Sequence, residues 1–236
     1  SYLAALDGTL PNDQILSHDL LEGSISRTAY AADVSVFDEF PSTLQALLAR
    51  NHRWTRGDWQ IIDWLSSSVK NTAGVSQSNT LRFVHQFKIF DNLLQSLARP
   101  SVFFVAVAAW WVGNEFLFGI IWLLFLSELL FIDMAIDWIR WILKLATGQW
   151  KHLLFRLRET VVRSVRLIRQ ALFESLILPY TSLDTAHAIV TAIFRRYFSR
   201  RNMLEWIPSS HFKTPAAERA LVFPILFLGA LLVALW

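Results

Sequence analysis

From Ser101 to Ala135 runs a long apolar region whose only charges are Glu115, Glu128 and Asp133. In lipid every backbone polar group must be satisfied within the protein, so a run of this kind is helical if it enters a bilayer. About 20 residues at 1.5 Å rise cross the hydrocarbon core. The run is too long for one plain crossing, and Gly113-Asn114-Glu115 interrupts it. The pattern predicts a helical hairpin, with one span from about Asn92 or Arg99 to Val112 and a second from Phe116 to about Ala135. Trp110, Trp111 and Trp122 are its interfacial anchors. A single long tilted helix is the alternative. Composition agrees with the membrane class: 54% of the residues are hydrophobic, with 11 Trp and 18 Phe. No cysteine is present, which excludes a disulfide framework and a thiolate metal site.

The rest is organised around that region. Leu81 to Leu97 places Phe83, Val84, Phe87, Phe90, Leu93, Leu94 and Leu97 near helical spacing, which predicts a helix lying on or leading into the membrane. The Ser/Asn/Thr/Gly-rich stretch Ser66 to Thr80 predicts an exposed loop. Between Trp138 and Leu176 apolar residues recur at steps of three and four among arginines and lysines, predicting a basic amphipathic helix on an anionic leaflet. Pro179-Tyr180-Thr181-Ser182 is expected to break it. Another helix follows over Leu183 to Tyr197, and Ala220 to Trp236 is a last apolar run. The positive-inside rule puts the basic segment in the cytoplasm, and a two-span hairpin returns the N-terminal part to the same side. These flanking membrane segments argue against nucleic acid as the partner of the basic residues. The chain starts without Met and ends inside an apolar run, so it reads as a piece of a longer protein.

The N-terminal part carries the chemistry. Ser17-His18-Asp19 precedes an apolar pair, so Asp19 is either a helix cap or a carboxylate placed to take a proton from a hydroxyl. Asp33 to Phe37 alternates and predicts a short strand. A helix beginning near Ser42 delivers Arg50-Asn51-His52-Arg53-Trp54-Thr55-Arg56-Gly57-Asp58-Trp59-Gln60. Guanidinium forks suit phosphate oxygens and an indole face suits a sugar ring; the competing reading is an amphipathic segment at the membrane surface. His85, His152, His187 and His211 lack ligand spacing and read as surface or packing positions.

Three stretches taken together, Leu16 to Gly23, Val36 to Pro41 and His52 to Gln60, resemble the glycosyltransferase part of the cyclic β-1,2-glucan synthases. The resemblance is strongest over about the first 65 residues. It implies an α-rich membrane protein. Residues 1–65 would close a cytosolic GT-A (α/β) transferase domain, 66–100 would be a loop and interfacial helix, and 101–136 the transmembrane hairpin. Residues 137–215 would form cytosolic basic amphipathic helices, and 216–236 a further transmembrane helix. It also implies an inverting transferase in a bacterial inner membrane that polymerises glucose from UDP-glucose. Its partners would be the growing glucan, lipid and the rest of the same large polypeptide. By the same resemblance Asp19 is the catalytic base, with His18 beside it. Trp54 stacks on the acceptor sugar and Arg53 sits near the diphosphate, while Arg50, His52 and Arg56 are further binding candidates. Arg50 stands where the family has Gln. A divalent cation, Mg2+ or Mn2+, is implied with ligands upstream, since no Asp-x-Asp occurs here. A synthase of another linkage, or a non-catalytic scaffold or translocation segment, are the alternatives.

Overall fold

The computed structural model describes residues 10, 14–16, 19–26, 29–37, 40–41, 43–147 and 153–206, without the side chains of 126–133, 153–154 and 156. The expectations for His18 and for the transmembrane helix over 216–236 lie outside these residues. The chain divides into two compact units. One is made by the described residues up to Pro100 together with those from Thr181 onward, the other by Ser101–Tyr180.

In the first unit, α1 (Asp19–Ser26) and α2 (Leu44–Gln60) precede a 3-10 turn at Ile62–Leu65. Helix α2 starts where Thr43, in an extended conformation, accepts the Ala46 N–H at 3.2 Å on its hydroxyl oxygen. This satisfies one of the orphan donors of the first turn. Leu21, Ile61, Trp64, Val69, Ile89 and Leu93 pack into one core.

Two sequence expectations are corrected in this unit. Asp33 to Phe37 is not a strand: it follows a turn, has no partner strand among the described residues, and leaves Phe37 97% exposed. Alternation alone does not make a strand without a ladder to join. Ser66 to Thr80 is a hairpin, not an open loop. Strand β1 (Ser68–Lys70) pairs antiparallel with β2 (Ser76–Ser78), and Val69 is buried. Gly74 at φ +75° closes the turn, donating its N–H to the Asn71 carbonyl at 2.9 Å, a backbone conformation that glycine reaches without a Cβ clash. This hairpin is the only sheet among the described residues. The helix expected over Leu81 to Leu97 is present, and of its apolar face only Leu93 joins the core, together with Ile89. Phe83, Val84, Phe87, Phe90, Leu94 and Leu97 remain exposed, an apolar surface of the kind a bilayer covers.

Helix α3 (Phe83–Trp111) continues through Pro100. The chain turns at Gly113, with φ +70°, and Asn114 caps α4 (Glu115–Ala146) by accepting the Leu117 N–H at 2.9 Å on Oδ1. Helix α4 runs well beyond the expected limit near Ala135. In the second unit Ala106 and Ala109 of α3 pack on Phe118 of α4, small residues allowing close approach as in membrane helix pairs. Trp111 and Phe116 stand exposed at the turn.

Helix α5 (Leu153–Phe194) contradicts the expected break at Pro179, since it runs through that residue into a π turn at Arg195–Ser199. Proline removes one intrahelical hydrogen bond, but packing on both sides holds the helix: Leu178 and Ser182 are fully buried. Among the described residues two helices are long and apolar enough to cross a membrane, Phe83–Trp111 and Leu157–Ser199. The second overlaps the segment expected to lie along the surface. Its C-terminal half includes buried Ala188, Ile189 and Ala192, and a core helix of a packed unit meets the same criterion.

Candidate functional site

Helix α2 has two working faces. At 3.6 residues per turn, Arg53, Arg56 and Gln60 fall on one side, and Asn51, Trp54, Thr55 and Asp58 on the other.

The first face is a brace. Arg56 is buried and its guanidinium donates to the carbonyls of Glu205 at 2.8 Å and Met203 at 3.2 Å. Gln60 is fully buried; its Nε2 donates to the Met203 carbonyl at 3.0 Å, and its Oε1 accepts the Leu16 N–H at 2.7 Å. The Arg53 guanidinium lies over the Trp206 ring at 4.4 Å. Arg195 completes the clamp by donating to the Asn202 carbonyl and pairing with Glu205 at 3.0 Å. Burial, and then Arg195, lower the Arg56 pKa, with the Glu205 carboxylate opposing. A few residues further on, Asp63 accepts from the Arg196 guanidinium and, at 2.6 Å, from the Tyr197 hydroxyl. Burial raises the Asp63 pKa, but these hydrogen bonds and the charges of Arg196 and Lys70 outweigh it and hold the carboxyl below its ordinary value.

His52 lies beside this brace. Its Nε2 meets His187 Nδ1 at 3.1 Å, so one ring donates and the other accepts. His187 therefore has a specific partner that spacing along the sequence does not reveal, because 135 residues separate the two rings. Burial, followed by the positive charges of His187, Arg56 and Arg195, lowers the His52 pKa to about 4.

The second face opens on a polar groove of about 410 Å³, walled by Trp54, Asp58, Asn92, Gln95 and Arg99, with Asn51, Thr55, Ser96 and Thr185 completing it. Asn92, Gln95, Ser96 and Arg99 repeat at the i, i+3, i+4, i+7 positions of α3, so one helix face supplies four of the nine lining residues. Asn92 donates to Asp58 Oδ1 at 3.3 Å. Burial raises the Asp58 pKa, opposed by that bond. The Arg50 guanidinium lies over the Trp54 ring at 4.7 Å and over the Phe40 ring at 4.8 Å. Trp54 itself is 43% exposed, so part of the indole remains open to a ligand. An aromatic wall with amides, a carboxylate and a guanidinium is suited to hydroxyl-bearing ligands, because each polar group both positions and satisfies a hydroxyl.

Of the residues singled out in the sequence, the structure brings Trp54 to the groove, with Arg50 over its ring. It turns Arg53 and Arg56 to the opposite face and pairs His52 with His187. Asp19 stands exposed at the first turn of α1 and is not among the groove's lining residues. The sequence reading missed Asp58, Asn92, Gln95 and Arg99. The signal was present as the polar repeat complementary to the apolar stripe of α3, and it reads as a solvated face until α2 is known to lie across it. Among the described residues no group of three or more His, Asp or Glu side chains is placed to hold a metal ion.

No protein-family model matches the chain. It is 30% identical over 209 residues, 87% of its length, to the cyclic β-(1,2)-glucan synthase NdvB of Rhizobium meliloti (strain 1021). The matched stretch is 7% of that much longer protein. The similarity is therefore to a segment of such a synthase, and it extends far past the first 65 residues on which the motif resemblance was strongest.

Proposed function

We propose that this chain supplies the acceptor-binding and membrane-embedded part of an inverting glucosyltransferase that builds β-1,2-glucan, closed into a ring, from UDP-glucose. The observation that carries the reading is the polar groove walled by the half-open indole of Trp54, on a chain similar to a glucan synthase segment. In this reading the growing glucan lies in the groove. One sugar face rests against Trp54 while the amides of Asn92 and Gln95 and the Asp58 carboxylate exchange hydrogen bonds with its hydroxyls. Asp19, exposed at a helix start, takes the proton of the attacking hydroxyl.

In this reading the rest of a GT-A-type transferase domain and the ligands of a divalent cation are supplied from upstream in the longer synthase. The site faces the cytosol of a bacterial inner membrane, where nucleotide sugars are made.

The test is made in the complete synthase. Trp54→Ala forfeits about 1–2 kcal/mol of apolar contact with the sugar, which predicts a roughly 5- to 30-fold higher KM for the glucan acceptor. Asp19→Asn is expected to abolish UDP release while membrane insertion is unchanged. Normal turnover in Asp19→Asn removes that residue as the base. An unchanged acceptor KM in Trp54→Ala removes the groove as the glucan site and leaves a scaffolding role. Linkage analysis of the product distinguishes β-1,2-glucan from another β-glucan.

A further inference from the structure

We propose that the pocket between the C-terminal part of α4 and the start of α5 binds the phosphodiester headgroup of an anionic phospholipid. The pocket is separate from the glucan groove and does not depend on it. It measures about 180 Å³, room for about six water-sized volumes of ~30 Å³. Helix α4 lines it with Asp137, Arg140, Trp141 and Lys144, the i, i+3, i+4, i+7 positions of one face; α5 contributes Glu159, Thr160 and Arg163.

Three features point to a headgroup. The first is charge. Arg163 is matched to Asp137 by two contacts, at 3.0 and 3.2 Å, whereas Arg140 and Lys144 make no ion pair among the described residues. Two cations one turn apart are thus left to face the pocket, with Glu159 as the single further carboxylate, placed to accept from a headgroup hydroxyl. The second is an orphan donor. The Trp141 indole nitrogen is buried and has no acceptor, a deficit that costs about 1–3 kcal/mol and that a phosphate oxygen would remove. The third is setting. Ile136, Ile139, Ile142 and Leu143 of α4 and Phe155 and Val162 of α5 are exposed, which offers acyl chains a surface beside the polar pocket. Basic pockets between membrane helices recognise anionic headgroups in this way. A free phosphate would use the cations but gain nothing from the apolar flank, so the lipid is the occupant the structure favours.

The test uses the full chain in nanodiscs of phosphatidylcholine with increasing phosphatidylglycerol, reading retained lipid by native mass spectrometry. The expected result is selective retention of phosphatidylglycerol, reduced at least tenfold in the Arg140→Gln/Lys144→Gln double variant. Trp141→Phe keeps the ring and removes only the N–H; a several-fold loss is expected there, and this variant decides if the double variant does not fold. Arg166→Gln, an exposed arginine of α5 outside the pocket, is expected to retain lipid normally. Three results would each overturn the proposal: equal retention of both lipids, the same loss in Arg166→Gln as in the pocket variants, or displacement of the lipid by millimolar inorganic phosphate.

Discussion

Replacing Arg56 by methionine, and separately by lysine, tests whether the most buried arginine of the Arg/Trp stretch serves the fold or the substrate. Its fork holds two carbonyls, those of Glu205 and Met203. A hydrogen bond from a charged donor contributes about 1.5–3 kcal/mol, so two would suggest twice that. Two offsets reduce it. The Met203 carbonyl keeps its bond from Gln60, and Glu205 is exposed enough for water to reach its freed carbonyl. Methionine also removes a cation whose desolvation works against folding. The net loss is thus nearer one charged bond than two, about 2–3 kcal/mol. For lysine, whose single ammonium cannot span both acceptors, the loss is about 1–2 kcal/mol. Hydrogen exchange read at residues 202–206 should quicken roughly 30- to 140-fold in Arg56→Met, with a lower thermal midpoint in the same nanodiscs. Unchanged exchange accompanied by a selective rise in the sugar-donor KM would refute the argument, because it would show the guanidinium working on a ligand.

Two further predictions concern pH. The folded pKa of His52, about 4, lies below its ordinary 6.5, so the unfolded chain takes up the proton first. Its contribution to stability should decline as pH falls below about 6.5 and level off below about 4. His52→Gln should flatten this limb of a melting-temperature profile, and an identical profile in the variant would remove His52 as its source. Asp63 has the opposite sign. Its folded pKa is held below the ordinary carboxylate value, so its contribution is present above about pH 4 and is lost as pH falls through the folded value. Asp63→Asn should lower stability at neutral pH and remove that acid-side dependence. Equal loss at pH 3 and pH 7 would mean that the Arg196 contact depends on shape and not on charge.

The helices were legible in the sequence because their signals are local. Thr43 as a cap, the Gly113-Asn114 interruption and the apolar run beyond Pro100 each act within a few residues. The errors came where distant packing decides. Pro179 predicts a break, yet with Leu178 and Ser182 buried the helix continues through it. Asp33 to Phe37 alternates, yet finds no neighbour strand among the described residues. Val69, buried in the core, turns a serine-rich stretch into a hairpin. The site follows the same division. Trp54 stood out in its own stretch, whereas the Asp58, Asn92 and Arg99 lining of the groove exists only because α2 and the following helix α3 lie side by side. The His52–His187 pair was invisible for the same reason.

The two faces of α2 give the Arg/Trp stretch a division of labour that its composition conceals. Arginines beside a tryptophan invite a reading in which all of them meet the ligand. Here the polarity of the helix separates them: Arg53 and Arg56 are spent on the 202–206 segment, and the ring of Trp54 faces the groove with Arg50 against it. The brace and the groove share one rigid helix, so the position of the indole depends on bonds made on the far side. Loosening the brace should therefore misplace Trp54 without removing any group that lines the groove. On the proposed acceptor role of the groove, an Arg56 variant would then lose some acceptor affinity as a consequence of lost order, and the two losses should grow together across a series of substitutions. A donor-binding role for Arg56 predicts instead that acceptor affinity and local order stay constant while the donor KM rises. Plotting acceptor KM against exchange at residues 202–206 separates the two, since only the brace makes them covary.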